Sequence, residues 1–267
     1  MSFVNSYRFT PSGGGIPETD LAWWYQFDNA SKITEDGSNI QEILDNEWDF
    51  SATPIVNDPV YSSANGRTEF NFGSSEALKS EILDDTSAPN SNTTAITSGF
   101  MAMVIELDSL TASRWLSGVA LRSYSSPFSQ NVYGNFFGVS SGGFKLMYRG
   151  RLTSQSATFL NIDGTTALVT GQKYLLQIYV PPTGGTYYEI DGVAQNNDAT
   201  GDRFAGVLDV GAGSTLRWSV DMGVVTGSGS YTYSGSHKIY ETIGYQNFDQ
   251  TTYDDVEAYL KSKYSIA

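Results

Sequence analysis

The chain has 267 residues, 40% of them hydrophobic and 16% charged, with 29 acidic against 15 basic side chains and a formal charge of −14. A surface this acidic repels phosphate backbones, so nucleic acid is not an expected partner, and the lack of cysteine excludes disulfides and thiolate chemistry. The 27 glycines, with abundant Ser, Thr, Asn and Tyr, point to strands and turns, and the length suits one β-structured domain with a sizeable core.

Residues 1–20 are polar and contain Ser12-Gly-Gly-Gly15 and Pro17. They read either as an arm attaching the chain to a larger body or as an ordinary frayed terminus. Residues 21–267 are expected to form a single domain, since no repeat or composition break divides them. The first residues show no basic region followed by an apolar core, so no secretory signal is expected. No run approaches the roughly 18 apolar residues that span a bilayer, so no membrane partner is expected either. Asn29-Ala-Ser and Asn92-Thr-Thr match the glycosylation pattern, and without a signal both count as chance.

Leu21 to Phe27 reads as the first strand, and its adjacent Trp23 and Trp24 must point to opposite faces. One is expected in the core, the other against a loop or the terminal helix. Ser38 to Asp45 leans to strand, and Thr68 to Phe72 alternates cleanly. Ser74 to Leu83 reads as a short helical or irregular piece, followed by a loop from Asp84 to Thr94. From Gly99 strand patterns follow closely: Phe100–Leu107, Arg114–Leu121, Asn135–Val139, Phe144–Arg149, Ala157–Ile162, Tyr174–Val180, Tyr187–Ile190 and Leu216–Val220. Gly, Ser, Pro and Asp-Gly turns separate them at the spacing of an all-β sandwich. Asp191-Gly192 suits a tight type I′ hairpin, because both positions tolerate positive φ. The densest basic stretch, Lys145 to Arg151, holds three charges and reads as one face of a strand.

The chain closes with a strand, His237 to Tyr245, and one amphipathic helix between Phe248 and Ile266. Tyr253, Val256, Tyr259, Leu260 and Tyr264 recur at spacings of three and four and fall on one face. Asp249 or Thr251 can cap its start. Asp254, Asp255 and Glu257 lie early and Lys261 and Lys263 late, as the helix dipole favours. Such a helix needs a large surface to lie on. The closing strand is expected beside Leu21–Phe27, and the helix over one end of the fold.

Three separated blocks resemble the concanavalin A-like lectin/glucanase fold in its laminin-G-like form. They are WWYQFDNASKITEDGSNIQEILDNEWDF with PVYSSANGRTEFNF, then KYLLQIYV with GGTYYEIDGVAQ, then GSHKIYETIGYQNFDQTTYDDVEAYLKSKYSIA. The resemblance spans nearly the whole chain from about Leu21. It implies an all-β, two-sheet antiparallel jelly-roll sandwich with one short C-terminal α-helix. The fold hosts glycan binders, hydrolases and structural modules, so function rests on the site.

Glucanases of this fold carry a strand-borne row of carboxylates, which sets a nucleophile and an acid on one face. Glu106-Leu-Asp108 and Glu189-Ile-Asp191 begin that row, but neither reaches a third carboxylate. A Ser-His-Asp mechanism would have to use His237, the only histidine, which reads more simply as structural. No cofactor is expected. Asp198, Asp202 and Asp221 form no tight calcium loop, and Gly211-Ala-Gly213 lacks the context of a nucleotide site. If the closing strand alternates, Glu241 shares a face with Ile239 and Ile243. It is read either as a ligand contact or, preferentially, as a structural acid bonded to backbone or tyrosines. Tyr124, Phe128, Tyr133, Tyr231 and Tyr233 are expected in Ser/Gly-rich loops and are candidates for sugar or partner contacts, or for plain loop packing. Trp23, Trp24, Glu241, Val256, Tyr259 and Leu260 are expected to be structural.

The resemblance further implies an accessory virion protein of the tailed-phage type, a capsid decoration, head fibre or tail-associated protein assembled in the host cytoplasm. Other virion proteins and cell-surface glycans are the expected partners, a homotrimer the state suggested by analogy, and enzymatic activity is not expected. The alternative is a free bacterial lectin or adhesin, with a glycoside hydrolase third.

Overall fold

The computed structural model describes residues 15–46, 51–55, 57–71, 75–82, 99–109, 114–123, 132–140, 143–149, 159–181, 187–195, 216–227, 230–233, 236–245 and 247–267. Within them the chain is all-β with one C-terminal helix. In chain order the strands begin with β1 (Leu21–Gln26), β2 (Ile33–Asp36), β3 (Asn39–Leu44), β4 (Ser51–Pro54), β5 (Val60–Ser62), β6 (Arg67–Phe70) and β7 (Leu78–Ile82). They continue with β8 (Gly99–Leu107), β9 (Arg114–Ser123), β10 (Val132–Ser140), β11 (Gly143–Arg149), β12 (Phe159–Asp163) and β13 (Lys173–Val180). The last are β14 (Tyr187–Ile190), β15 (Val193–Ala194), β16 (Leu216–Met222), β17 (Val224–Gly227), β18 (Ser230–Tyr233) and β19 (His237–Tyr245), followed by α1 (Gln250–Tyr264).

All strand pairs among the described residues are antiparallel. Seventeen strands form one hydrogen-bonded network, and β17 with β18 makes a separate ribbon. The network has two long runs. In one, β19 pairs with β8, β8 with β13, β13 with β14 and β14 with β15. In the other the order is β4–β7–β16–β9–β10–β11–β12. Strands β3, β5 and β6 link the two.

Both runs contribute to one core. Met103, Ile105, Leu176 and Ile239 come from the first, Tyr25 from β1 beside β19, and Ala52, Leu78, Leu116, Phe137, Val220 and Met222 from the second. Strand β8 is apolar on both faces because it is covered on both. Its Met101, Met103, Ile105 and Leu107 enter the shared core, while Phe100, Ala102 and Val104 enter a second cluster on the opposite face, with Leu175, Ile243 and Tyr245. The helix closes that second cluster with Tyr253, Val256 and Leu260.

The local signals that make α1 are visible at its ends. The Asp249 carboxylate accepts a hydrogen bond from the Thr252 N–H at 2.9 Å, satisfying one of the free amides of the first turn. Ser265 ends the helix in the left-handed conformation. At 15 residues it is not long and apolar enough to cross a membrane, and among the described residues no other helix is. The Asp191-Gly192 turn has φ of 55° and 75°, and Ile190 pairs with Val193 around it, which is the two-residue hairpin expected of that pair.

The first and closing strands pair along their length, from Leu21 with Tyr245 to Gln26 with Glu241. Two other expectations need correction. Leu78–Ile82 is a strand, not a helical piece. Leu78 and Ser80 are buried and Lys79 half-buried, so the segment alternates, and it is captured between β4 and β16. The helix lies on a sheet face, not over an end. Its stripe meets Ala102, Val104 and Leu175, side chains small enough to let it approach.

Simple alternation also fails within β19. Ile239 faces Ile105 of β8 and Glu241 faces Val104, so Tyr240 is an extra residue in the ladder. This β-bulge falls where the other edge of β19 changes partner from β6 to β1. It turns Tyr240 and Glu241 to the same side. Ile239 enters the shared core while Ile243 joins the helix-side cluster, so Glu241 accompanies Ile243 and not Ile239. Beyond the bulge, Gly244 lies against the ring of Trp23, and a Cβ there would overlap it. Gly244→Ala is expected to lower stability by about 1–3 kcal/mol, read as an earlier denaturant midpoint.

Candidate functional site

Among the described residues, α1 covers only part of the helix-facing side of β8, β13 and β19. Past the last turn of α1, where Tyr264 meets Tyr240 at 5.6 Å between ring centroids, the same side carries Lys173, Glu106, Lys238 and, from β6, Arg67. These four residues are partly buried, with the Glu106, Lys238 and Arg67 side chains 12%, 14% and 22% exposed, and Tyr240 lies beneath them, 3% exposed. All stand on strands, so their positions are fixed by ladders and not by loops.

The polar contacts are dense. Lys238 Nζ donates to Glu106 Oε1 and to Asp108 Oδ1, each at 2.6 Å. The Tyr240 hydroxyl donates to Glu106 Oε2 at 2.7 Å. Arg67 donates from Nη1 to the Tyr240 oxygen at 3.2 Å, and from Nε and Nη2 to Glu69 Oε1 at 3.0 and 2.7 Å. Burial alone would raise the Glu106 carboxyl, but the hydrogen bonds from Lys238 and Tyr240 and the charges of Lys238 and Arg67 hold it below the ordinary carboxylate range. Burial and the bond to Glu106 push the Tyr240 phenol up. The pair is therefore an ionised acceptor beside a protonated donor, flanked by cations.

Adjacent to it, under the helix, lies a second polar cluster around Glu241, whose side chain is fully buried. Its carboxylate accepts from Trp24 Nε1 at 2.6 Å, Tyr264 OH at 2.7 Å, Lys263 Nζ at 2.8 Å, and Gln26 Nε2 and Tyr259 OH at 3.2 Å. Burial would lower the Lys263 ammonium, yet the Glu241 charge and hydrogen bond raise it well above its ordinary value. Burial and the Glu241 charge push the Tyr259 phenol up to about 12. This cluster ties β1, β19 and α1 together. Its acceptor oxygens are occupied by protein donors, which leaves it a fastening rather than an opening for ligand.

The structure brings Trp24, Glu241 and Tyr259 into that cluster and sets Trp23, Val256 and Leu260 in the apolar clusters on either side of the sheet. Tyr124 and Phe128 lie outside the described residues. Tyr133 pairs with Leu121 in β10, and Tyr231 and Tyr233 pair with Thr226 and Val224 in β18; their side chains are outside what is described. Glu106 and Asp108 do share a face, both bound to Lys238. Glu189 is half-buried against the helix, where it accepts from Tyr253 OH at 2.9 Å, and Asp191 caps the Leu175 N–H at 2.7 Å. His237 is buried and stacks on Phe70 at 5.1 Å. Asp198 and Asp202 lie outside the described residues, and Asp221 is an internal residue of β16. Among the described residues no group of three or more His, Asp or Glu is placed to hold a metal ion. The open end of the sheet face was missed by sequence reasoning: Arg67, Lys173 and Lys238 are scattered singly, and only the pairing of β6, β8, β13 and β19 gathers them.

No protein-family model matches the chain, and no curated protein matches it. Solved structures do. Trypanosoma rangeli sialidase is similar over 94% of this chain and 34% of its own, with 12% identity and a TM-score of 0.56. The same enzyme in complex with sialic acid gives 13% and 0.58 over the same shares. The receptor binding domain of botulinum neurotoxin C/D mosaic serotype is similar over 91% of this chain and 51% of its own, with 10% identity and a TM-score of 0.52. The chain thus spans about a third of the sialidase length and half of the toxin domain. At these identities the likeness is one of fold, an antiparallel sheet-rich architecture. It also corrects the expectation that the chain is not an enzyme: sialidases share the architecture, so the fold gives no ground for setting catalysis aside.

Proposed function

We propose that the chain is a lectin-like recognition module, a concanavalin A-like, laminin-G-like jelly-roll sandwich that binds cell-surface carbohydrate as an accessory protein of a virus particle. The observation that carries the binding part is the open end of the helix-side sheet face. There the charged side chains of Arg67, Glu106 and Lys238 gather around the buried Tyr240 hydroxyl, all fixed on strands. Sugars are recognised by just such convergent polar groups with a ring nearby. Two strand runs sharing one core support the sandwich, as facing sheets do. Fold neighbours named as a receptor binding domain and as a sialidase with sialic acid support a role at glycan-bearing surfaces. The particle setting is supported by the sequence resemblance to phage accessory proteins.

A glycan array probed with the intact chain tests the binding reading. Micromolar binding is expected, weakened about tenfold by Arg67→Gln, a loss of roughly 1.4 kcal/mol, with the thermal midpoint of the variant reported alongside. Wild-type protein that binds no glycan on the array overturns it. Co-sedimentation with virus particles separates the particle setting from a free lectin.

A further inference from the structure

Lys173 opens β13 and pairs in register with Glu106 of β8. A cross-strand Lys–Glu pair normally forms an ion pair. Here the Glu106 carboxylate turns instead to Lys238 and Tyr240. Lys238 holds two carboxylates, Glu106 and Asp108, and Glu69 is held by Arg67. Among the described residues Lys173 has neither an ion pair nor a hydrogen-bond acceptor. Its Nζ lies 4.5 Å from the ring centroid of Tyr240 and 5.5 Å from that of Tyr264. The rings hold the ammonium in place through their π faces without using its N–H donors. The residue is half-buried, and among the described residues no acceptor takes up those donors. Among the described residues this leaves Lys173 a cation without a carboxylate partner, beside a cluster whose other cations, Arg67 and Lys238, each hold one.

We propose that Lys173 is the anion-reading residue of this face, and that the ligand is an acidic sugar whose carboxylate or sulfate ester pairs with its ammonium. The inference rests on the recognition reading above and adds the ligand's charge. Tyr240 links the parts: Lys173 lies over its ring and Arg67 bonds its hydroxyl. Arg67 spends three hydrogen bonds on Glu69 and Tyr240, which leaves two of the five guanidinium N–H groups for a second polar group on the same ligand. A charge-assisted bond from a pre-positioned ammonium is about twice as strong as a neutral one. The acidic chain repels anions at long range, so the pairing has to be made at contact, where geometry selects one sugar over another.

The test compares matched arms on one array: lactose, sialyllactose, a glucuronate-terminated disaccharide and a sulfated lactose. Intact wild-type protein is expected to bind at least one acidic arm about tenfold or more tightly than lactose, with the advantage shrinking as salt rises. The sialyl and glucuronate arms against the sulfated arm identify which acid is read. Lys173→Gln is expected to lower the acidic-to-neutral affinity ratio about tenfold, and Lys173→Arg to retain most of it. Melting curves of both variants confirm the fold. A ratio unchanged in Lys173→Gln, or a wild-type protein that binds neutral sugars without preferring acidic ones, overturns this inference and leaves the recognition reading intact. Binding to none of the arms, neutral ones included, overturns both.

Discussion

Val256→Asp is expected to remove most of the domain's stability. Val256 is fully exposed to the apolar cluster and not at all to water, beside Leu260 and Tyr253. Losing its burial costs about 1.5–3 kcal/mol, and placing a carboxylate among Phe100, Val104 and Leu175 adds several kcal/mol more. A domain has only about 5–15 kcal/mol in total. The pH dependence has a definite sign. Burial raises the folded-state pKa of the new acid above its unfolded value, so the folded form holds the proton more tightly. The variant is therefore expected to gain stability as the pH falls toward about 5 and to lose it as the pH rises through the raised pKa. Thermal melts at neutral and mildly acidic pH check this. A variant that melts with the wild type at both contradicts the docking of α1. Ending the chain at Phe248 should act in the same direction, since it uncovers the same sheet face, and a soluble, cooperatively melting truncation would count equally against it.

Lys263→Met is expected to be the second large effect. It leaves the fully buried Glu241 carboxylate without the cation that pairs with it. Breaking a buried pair from one side costs about 3–5 kcal/mol, because a charge stays behind uncompensated. The double variant Glu241→Gln with Lys263→Met removes that charge and is expected to recover a large part of the loss. Denaturant midpoints for the two single variants and the double give the coupling directly. If Lys263→Met alone is near neutral, the remaining donors from Trp24, Tyr259, Tyr264 and Gln26 suffice to hold the carboxylate, and the ion pair is not what fastens the helix.

Much of this architecture was legible where one periodicity dominates. The stripe of Tyr253, Val256 and Leu260 marked a helix face, and the aromatic and β-branched content of His237–Tyr245 and Leu21–Phe27 suits two strands. Where two periods compete, the sequence is silent. In Leu78-Lys-Ser-Glu-Ile82 the apolar ends lie four apart, which suits a helical turn as well as a strand, and only capture between β4 and β16 decides. The bulge at Tyr240 has no local signature at all. It arises because β6 and β1 share one edge of β19, and that is a fact about chain segments far apart in sequence. Its consequence is large: it puts Tyr240 on the helix side beside Glu241, where one anchors the cluster of Arg67, Glu106 and Lys238 and the other the fastening under the helix. That Lys173 has no ion pair among the described residues was equally invisible, since it depends on where Glu106 turns its carboxylate. Aromatic residues in Ser/Gly-rich stretches drew attention by composition, whereas the gathered site stands on strands.

The central claim is that ligand is recognised at the open end of the helix-side sheet face. Backbone amide hydrogen exchange, measured on the intact chain with and without the strongest-binding oligosaccharide of the array, tests it most directly. The account expects added protection concentrated in residues 237–241, 67–69, 104–107 and 173–175. Protection confined to strands β9 to β12, or to β17 and β18, with these segments unchanged, would contradict it.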